Sequence, residues 1–367
     1  MRHIWGVRIQ LPGQVDSIMT QQPTVATLIT AERTDIPASW YVALPSGELK
    51  KGPQPLTLFG RKLVAWRNGA GQPVVTQGFC PHLGASLAEG QVTSGELQCA
   101  AHRWRFDDTG RCVAAPPALD VSGRDRLRSY PTTERHGYVW VWYGSREPMF
   151  PLPTFPVLDG ATSYPTGFRM ADDTRATVRR ILENTYDPDH LVALHGLDVN
   201  GSTTLRMLDD PAATADHGPP IAAEAWLGAE LNWPSYRGRL GRITSLLGTN
   251  AKQFVLRVDG WPSGQRISYF ADGRLQYRML LATTPLGPNR TIQHIAVALP
   301  PTGTRWRDLR NYLLHRPEIT LTSKQDIPLF NTIERGDRHG IYVNGDHGVL
   351  AFRKYYQQWV DRVADDA

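Results

Sequence analysis

Over the first third of the chain, apolar residues fall in short runs separated by turn formers. Residues 40–44, 63–66 and 138–143 are apolar or aromatic throughout, and 138–143 is β-branched or aromatic at every position. Such runs, bounded by Gly, Pro and Asn, predict strands. In 138–143, tyrosine and tryptophan alternate with valine. That pattern predicts a strand covered on both faces. A small antiparallel β domain over 38–147 follows. Pro148, Pro151, Pro153 and Pro156 then crowd into nine residues and predict a domain boundary. Beyond it, 177–195 carries a helical pattern. Strand-like runs recur between 204 and 298, including 253–258 and 291–298, and 305–315 and 351–363 predict closing helices. The fold class is therefore α+β, with a second domain over 148–367 built on a mostly antiparallel sheet. Residues 1–37 contain Pro12, Gly13, Gln21, Gln22 and Pro23 and predict a loose arm, with Met19 as an alternative start.

Composition narrows the class. At 41% hydrophobic and 20% charged residues, the chain is typical of a soluble globular protein. Its net charge of +5 is spread without a basic block, which argues against nucleic-acid binding. A mildly basic face suits an acidic electron-transfer partner, and a solvated mixed-charge surface is the competing reading. No window has the apolar length of a membrane-spanning helix. The arm lacks the apolar core of a signal peptide.

The three cysteines are Cys80, Cys99 and Cys112, too few for a disulfide framework. Two of them sit in tight pairs with histidine: Cys80-Pro81-His82, and Cys99-Ala100-Ala101-His102 sixteen residues later. Two thiolates on one iron and two imidazoles on the other are the ligands of a Rieske [2Fe–2S] centre. A Cys2His2 zinc site is the competitor, but zinc sites usually pair Cys with Cys and His with His. Both pairs fall in loops at strand tips. Cys112 reads as a small packed residue near the same sheet. A cluster and free thiols together suit a reducing, cytoplasmic compartment.

The stretch 183–195 carries a second constellation, Asn184-x2-Asp187-x2-His190-x4-His195. Two imidazoles and one carboxylate can bind one face of an iron and leave positions open. Asp187 and His190 lie on nearly one helical face. His190 and His195 are about 140° apart on a regular helix, so the helix must widen or end early if both are ligands. The carboxylate must come from another element. Asp326, flanked by Ile327 and Phe330 on a segment entering the C-terminal helical region, is the choice; Asp308, Asp337 and Asp346 stand in more polar surroundings. Tyr186, Trp226, Phe254, Trp261, Tyr269 and Phe270 are aromatic candidates for a pocket wall, with ordinary core as the competing reading of each.

The cluster pairs, the 184–195 pattern and the later Asp326 occur in the order found in Rieske non-heme iron oxygenase α subunits, and the resemblance spans about residues 37–363. Residues 38–43, 56–61, 64–67, 82–85, 137–145 and 359–363 resemble the arylamine N-oxygenases of that family in scaffold positions. The resemblance implies a Rieske domain followed by a helix-grip catalytic domain, in a head-to-tail homotrimer. It implies that Cys80, His82, Cys99 and His102 hold the [2Fe–2S] cluster and that His190, His195 and Asp326 hold Fe(II). Asp187 would bond His190 and, across the subunit boundary, His102. Asn184 would lie near the iron without firm ligation. Electrons would come from NAD(P)H through a reductase, with or without a ferredoxin. Arg103 departs from the glycine many relatives carry there.

The expected activity is that of a monooxygenase acting on an aromatic or heteroaromatic intermediate of secondary metabolism, with arylamine N-oxygenation favoured. C–H hydroxylation, O- or N-demethylation and oxidative cyclisation on the same scaffold are the alternatives. A Rieske electron-transfer protein without chemistry of its own is a remote third reading, because it leaves the second constellation unexplained.

Overall fold

The computed structural model describes residues 35–49, 52–115, 126–159, 166–195, 203–234, 251–333 and 341–364; most of the expected N-terminal arm, its alternative start and Asp337 lie outside them. The N-terminal part is a set of short strands, β1 (Ser39–Pro45), β2 (Gln54–Leu58), β3 (Arg61–Arg67), β4 (Pro73–Gln77), β5 (Gln91–Thr93), β6 (Glu96–Gln98), β7 (Arg105–Phe106), β8 (Cys112–Ala114), β9 (Ser129–Tyr130), β10 (Thr132–Arg135) and β11 (Tyr138–Tyr143). They form three antiparallel sheets, ordered β1-β11-β10, β2-β3-β4-β9 and β5-β6-β7-β8. β11 lies between β1 and β10, and all six of its residues are buried, as the aromatic–valine alternation requires. A separate small core of Val64, Trp66, Leu87, Leu97, Trp104 and Phe106 packs around Cys80 and Cys99.

The second part is a seven-stranded antiparallel sheet. Its strands are β12 (Thr166–Thr174), β13 (Thr204–Leu208), β14 (Leu227–Pro234), β15 (Gln253–Trp261), β16 (Gly264–Ala271), β17 (Arg274–Gly287) and β18 (Arg290–Leu299). The spatial order is β12-β18-β17-β16-β15-β14-β13. Four helices accompany it among the described residues: α1 (Val178–Glu183), α2 (Pro188–Ala193), α3 (Arg305–Thr332) and α4 (His347–Val360). This is the α+β architecture expected from the residue pattern.

Two helical expectations need correction. The helix expected over 305–315 continues to Thr332 through Pro317 and Pro328. Proline removes a backbone donor and disfavours helix, so the pattern suggested an earlier stop. Packing along one side overrides that local cost, with Ile319, Ser323 and Phe330 buried. The helical stretch over 177–195 is interrupted instead at Asn184–Tyr186 and Asp187, where Pro188 starts a new helix.

The two parts share one core. Trp140 of β11 lies 6.2 Å from Trp261 of β15, and Phe150 packs edge-on against Trp142 and Trp359 at 5.1 Å each. The Thr284 hydroxyl donates to the Val42 carbonyl at 2.9 Å, and Ser39 and Ser263 hydroxyls meet at 2.8 Å. The proline-rich connector is packed into this seam, with Phe150, Leu152, Phe155 and Val157 buried. Arg266, fully buried and paired with Asp259, donates to the connector's Thr154 carbonyl at 2.6 Å.

Candidate active site

The two Cys/His loops are tight turns closed by backbone bonds. The amides of Cys80 and Gly84 donate to the carbonyls of Ala85 and Cys80 at 2.9 and 3.0 Å. In the second loop the Cys99 and Arg103 amides donate to the Trp104 and Cys99 carbonyls at 2.9 and 3.0 Å. Arg103 takes φ +61°, a left-handed conformation that glycine adopts without a Cβ clash. This explains why the departure from glycine is a backbone matter as much as a side-chain one. Both thiols are buried while His102 is exposed, so the imidazole side of the site faces outward. The His82 and His102 rings lie 4.6 Å apart, and His82 stacks on Trp104 at 4.9 Å. Trp104 therefore sets the plane of one imidazole.

The four side chains fit a two-iron cluster. Burial pushes the Cys80 thiol up to about 11, against the pull of the His82 amide, and Cys99 nearby adds to the rise. A cationic metal pair removes that obstacle to ionisation. His82 Nδ1 is buried with no hydrogen-bond partner, which suits a ligand atom. Among the described residues the one group of three or more donors gathered closely enough for a single ion is elsewhere. Cys112 lies on β8, partly buried against this core, as a packing residue.

That other group is His190, His195 and Asp326, whose ligand atoms all lie within 4.8 Å of one another. The local sequence explains how. Pro188 starts α2 and Asp187 caps it, its carboxylate accepting the amides of Asp189 and His190 at 3.0 and 3.3 Å. α2 is one and a half turns long and ends at Ala193. His195 lies beyond that end, so the angular mismatch of a five-residue spacing disappears. Of the two devices considered from the sequence, the early helix end is the one observed.

Asp326 arrives from α3. Its Oδ1 is 3.3 Å from His195 Nε2 and has no hydrogen-bond partner although buried. His195 Nδ1 meets Gln325 Oε1 at 3.0 Å, and His190 Nδ1 meets the Asp187 backbone carbonyl. Each Nδ1 thus has an acceptor, which directs each Nε2 lone pair inward. Burial holds His190 below the usual imidazole range, favouring the neutral form a metal needs. For His195, burial also lowers, but Asp326 and Gln325 outweigh it and raise the net value. One expectation is corrected here. The Asp187 carboxylate bonds the α2 amides, and it is the Asp187 carbonyl that orients the His190 ring.

The triad opens on a cavity of about 360 Å³. Asn184 and Thr185 line it near His190, with Trp233, Tyr269 and Tyr277 from the sheet and Phe330 from α3. Of the six aromatic candidates, only Tyr269 is in the wall. Tyr186 stacks on Phe352 at 5.1 Å instead. The Trp226 and Trp261 rings cover Gly228 and Gly264, where a Cβ would come within 2.2 and 2.3 Å of ring atoms. Phe254 stacks behind Trp233 and Tyr269, and Phe270 packs beneath the Arg257 guanidinium. Trp233, Tyr277 and Phe330 were missed. The available signal was parity, since Tyr277, Met279 and Leu281 alternate along β17 toward one face.

Residues 39–131 match the family model of the Rieske [2Fe-2S] domain, an interval that holds all four Cys/His ligand candidates. The chain is 36% identical over 342 residues to aminopyrrolnitrin oxygenase PrnD of Pseudomonas fluorescens, covering 91% of this chain and 94% of that protein. It is 31% identical over 170 residues to the oxygenase component of 3-ketosteroid-9-alpha-monooxygenase of Rhodococcus rhodochrous, 44% of each chain. In fold it is similar to dicamba monooxygenase bound to 3,6-dichlorosalicylic acid, with a TM-score of 0.68, 18% identity, and coverage of 90% of this chain and 98% of that one. Matched over nearly its whole length and carrying both metal-binding constellations, this chain belongs to the Rieske non-heme iron oxygenases.

Proposed function

We propose that this enzyme is a monooxygenase of an aromatic or heteroaromatic amine, with N-oxygenation of an arylamine as its reaction. The observation that carries this reading is the cavity: the His190/His195/Asp326 group opens into a largely apolar space with aromatic walls. The 36% identity to aminopyrrolnitrin oxygenase over almost the full chain favours an arylamine over other aromatic substrates. In this reading Cys80, His82, Cys99 and His102 hold the cluster within a domain spanning 38–147, and His190, His195 and Asp326 hold Fe(II) within one spanning 148–367. When bound, the two metal groups supply stored electrons and dioxygen activation.

The chain's own residues supply the rest. Trp233, Tyr269, Tyr277 and Phe330 hold the ring and keep water from the reacting end. Asn184, on the wall beside His190, is placed to orient the substrate amine. The Asp187 carbonyl and Gln325 fix the two imidazoles. Exposure of His102 supports a head-to-tail homotrimer in which His102 faces Asp187 of the partner subunit. Electrons would be drawn from NAD(P)H through a reductase, with or without a ferredoxin, in the cytoplasm, and the substrate would be an intermediate of secondary metabolism.

Single-turnover analysis tests the reaction. The chemically reduced holoenzyme is exposed to oxygen with arylamines and alkylated aromatics, and products are read by mass spectrometry. Hydroxylamine, nitroso or nitro products are expected from the arylamines. Ring-hydroxylated, dealkylated or cyclised products would move the enzyme to another reaction on the same scaffold.

A further inference from the structure

The polar side chains lining the cavity are mostly committed to neighbours. Thr185 bonds Gln265 at 2.8 Å, Ser323 bonds Asp172 at 2.6 Å, and Thr322 donates to the Glu318 carbonyl at 2.9 Å. Gln325 is held by His195 at 3.0 Å. Outside the candidate metal-binding triad, a single carboxylate lines this cavity among the described residues, and it is Glu318.

Glu318 stands on α3 eight residues before Asp326. Positions 318, 322 and 326 recur every fourth residue and line the same cavity, so they share the helix face that meets the sheet. At 1.5 Å per residue the two backbone positions are about 12 Å apart along the axis. Pro317 and Pro328 bracket this span without interrupting it. The cavity therefore has two acidic positions on this helix face, Asp326 in the triad and Glu318 two turns away, with the Thr322 hydroxyl between them already bonded to the Glu318 carbonyl.

The Glu318 carboxylate is held and half-free. His315 Nδ1 lies 3.3 Å from its Oε2, one turn back on the same helix. The His315 ring in turn packs edge-on against Tyr277 of the cavity wall, with centroids 5.8 Å apart. Oε1 makes no hydrogen bond to any described residue. The Glu318 side chain is 26% exposed and lines the cavity, so a ligand there can reach it.

We infer that Glu318 is a second recognition pole, taking a protonated amine or another cationic N–H donor at the end of the substrate opposite the reacting nitrogen. The inference rests on the arylamine reading and specifies its substrate class as an aromatic amine bearing a distal basic nitrogen. A partly buried carboxylate rewards a charged donor more than a neutral one. An apolar substrate tail would leave the carboxylate desolvated and unpaired, which disfavours binding. His315 is the positioning residue, because it fixes one oxygen and leaves the other directed at the ligand.

The test is anaerobic calorimetric titration of the iron-loaded holoenzyme with three probes: 4-(2-aminoethyl)aniline, 4-ethylaniline and 3-(4-aminophenyl)propanoate. The wild type is expected to bind the first about tenfold more tightly than the second. Glu318→Gln should collapse that difference, and Glu318→Lys should turn the preference toward the propanoate. Equal wild-type affinities for the first two probes, or selectivity retained in Glu318→Gln, would overturn the inference. Product analysis keeps the two proposals apart. N-oxidised products from both anilines without selectivity would uphold the reaction and reject the pole. Selectivity accompanied by ring- or side-chain-oxidised products would uphold the pole and reject N-oxygenation.

Discussion

Single side chains at the candidate iron site divide between groups suited to hold a metal and groups that hold the backbone. The buried Oδ1 of Asp326 has His195 Nε2 at 3.3 Å and no hydrogen-bond partner, a setting that suits a metal ligand. Asp326→Ala is expected to retain the visible spectrum of the [2Fe–2S] cluster and to lose turnover. Iron content should fall from about three to about two atoms per chain, as counted by elemental analysis. Asp187 has two tasks that substitution can separate. As the cap of α2 it satisfies two amides. Asp187→Ala should lower stability by about 1 kcal/mol. Asp187→Asn should restore the cap, read as the thermal midpoint, while removing the carboxylate charge. If the charge couples the two metal sites, single-turnover reduction of the iron-bound site stays slow in both variants. Reduction at the wild-type rate in Asp187→Asn would assign Asp187 to capping alone.

At the scale of elements, the turn that leads into the His190 helix is pressed into shape by α4. A Cβ on Gly348, in the first turn of α4, would stand 2.6 Å from the Tyr186 carbonyl and 2.9 Å from Leu205. The Tyr186 carbonyl immediately precedes the capping Asp187. Farther along α4, Arg353 donates twice to Glu183 at the end of α1, at 2.6 and 2.9 Å. α1, the 184–186 turn and α4 therefore move together. Gly348→Ala is expected to destabilise by about 1–3 kcal/mol through overpacking. It should also weaken iron retention by shifting the backbone that carries His190, which dialysis against a chelator would reveal. The visible spectrum of the distant cluster should not change.

For the whole molecule, the seam between the two parts carries buried histidines that respond to acid. Burial, with Arg135 nearby, pushes His136 down to about 3, and burial pushes His294 down to about 4. Tyr138 packs against the His294 ring at 5.5 Å, and His136 accepts the Phe155 amide at 3.1 Å. Both imidazoles are neutral in the fold, whereas an unfolded chain titrates them near pH 6.5. Their contribution is complete above about pH 6.5 and is lost as pH falls from there toward 4 and 3, because the unfolded state takes up protons the native state refuses. The urea midpoint should decline between pH 7 and 5 and be flat between 7 and 8. His294→Gln should reduce that slope, and an unaltered slope would place the acid sensitivity elsewhere.

The residue pattern alone determined the strands of the N-terminal sheets, the α+β class and the Cys/His pairs, since each depends on local chemistry. A fully apolar 138–143 needs cover on both faces wherever it is placed. Two Cys/His pairs on tight turns announce a cluster from spacing. Asp326 was legible as a candidate from its apolar flanks and His195 from its spacing to His190, and the early end of α2 removes the angular mismatch and gathers the three. Tertiary structure alone decided the rest. It carried α3 through two prolines because one side is buried, a gain that local propensity does not contain. It sent Trp226 and Trp261 over glycines in the core and left Trp233, Tyr277 and Phe330 to wall the cavity. Aromatic identity is the same in both settings, and what differs is the face of the sheet each residue occupies. That face is set by strand register, and register is fixed only when the neighbouring strand has paired.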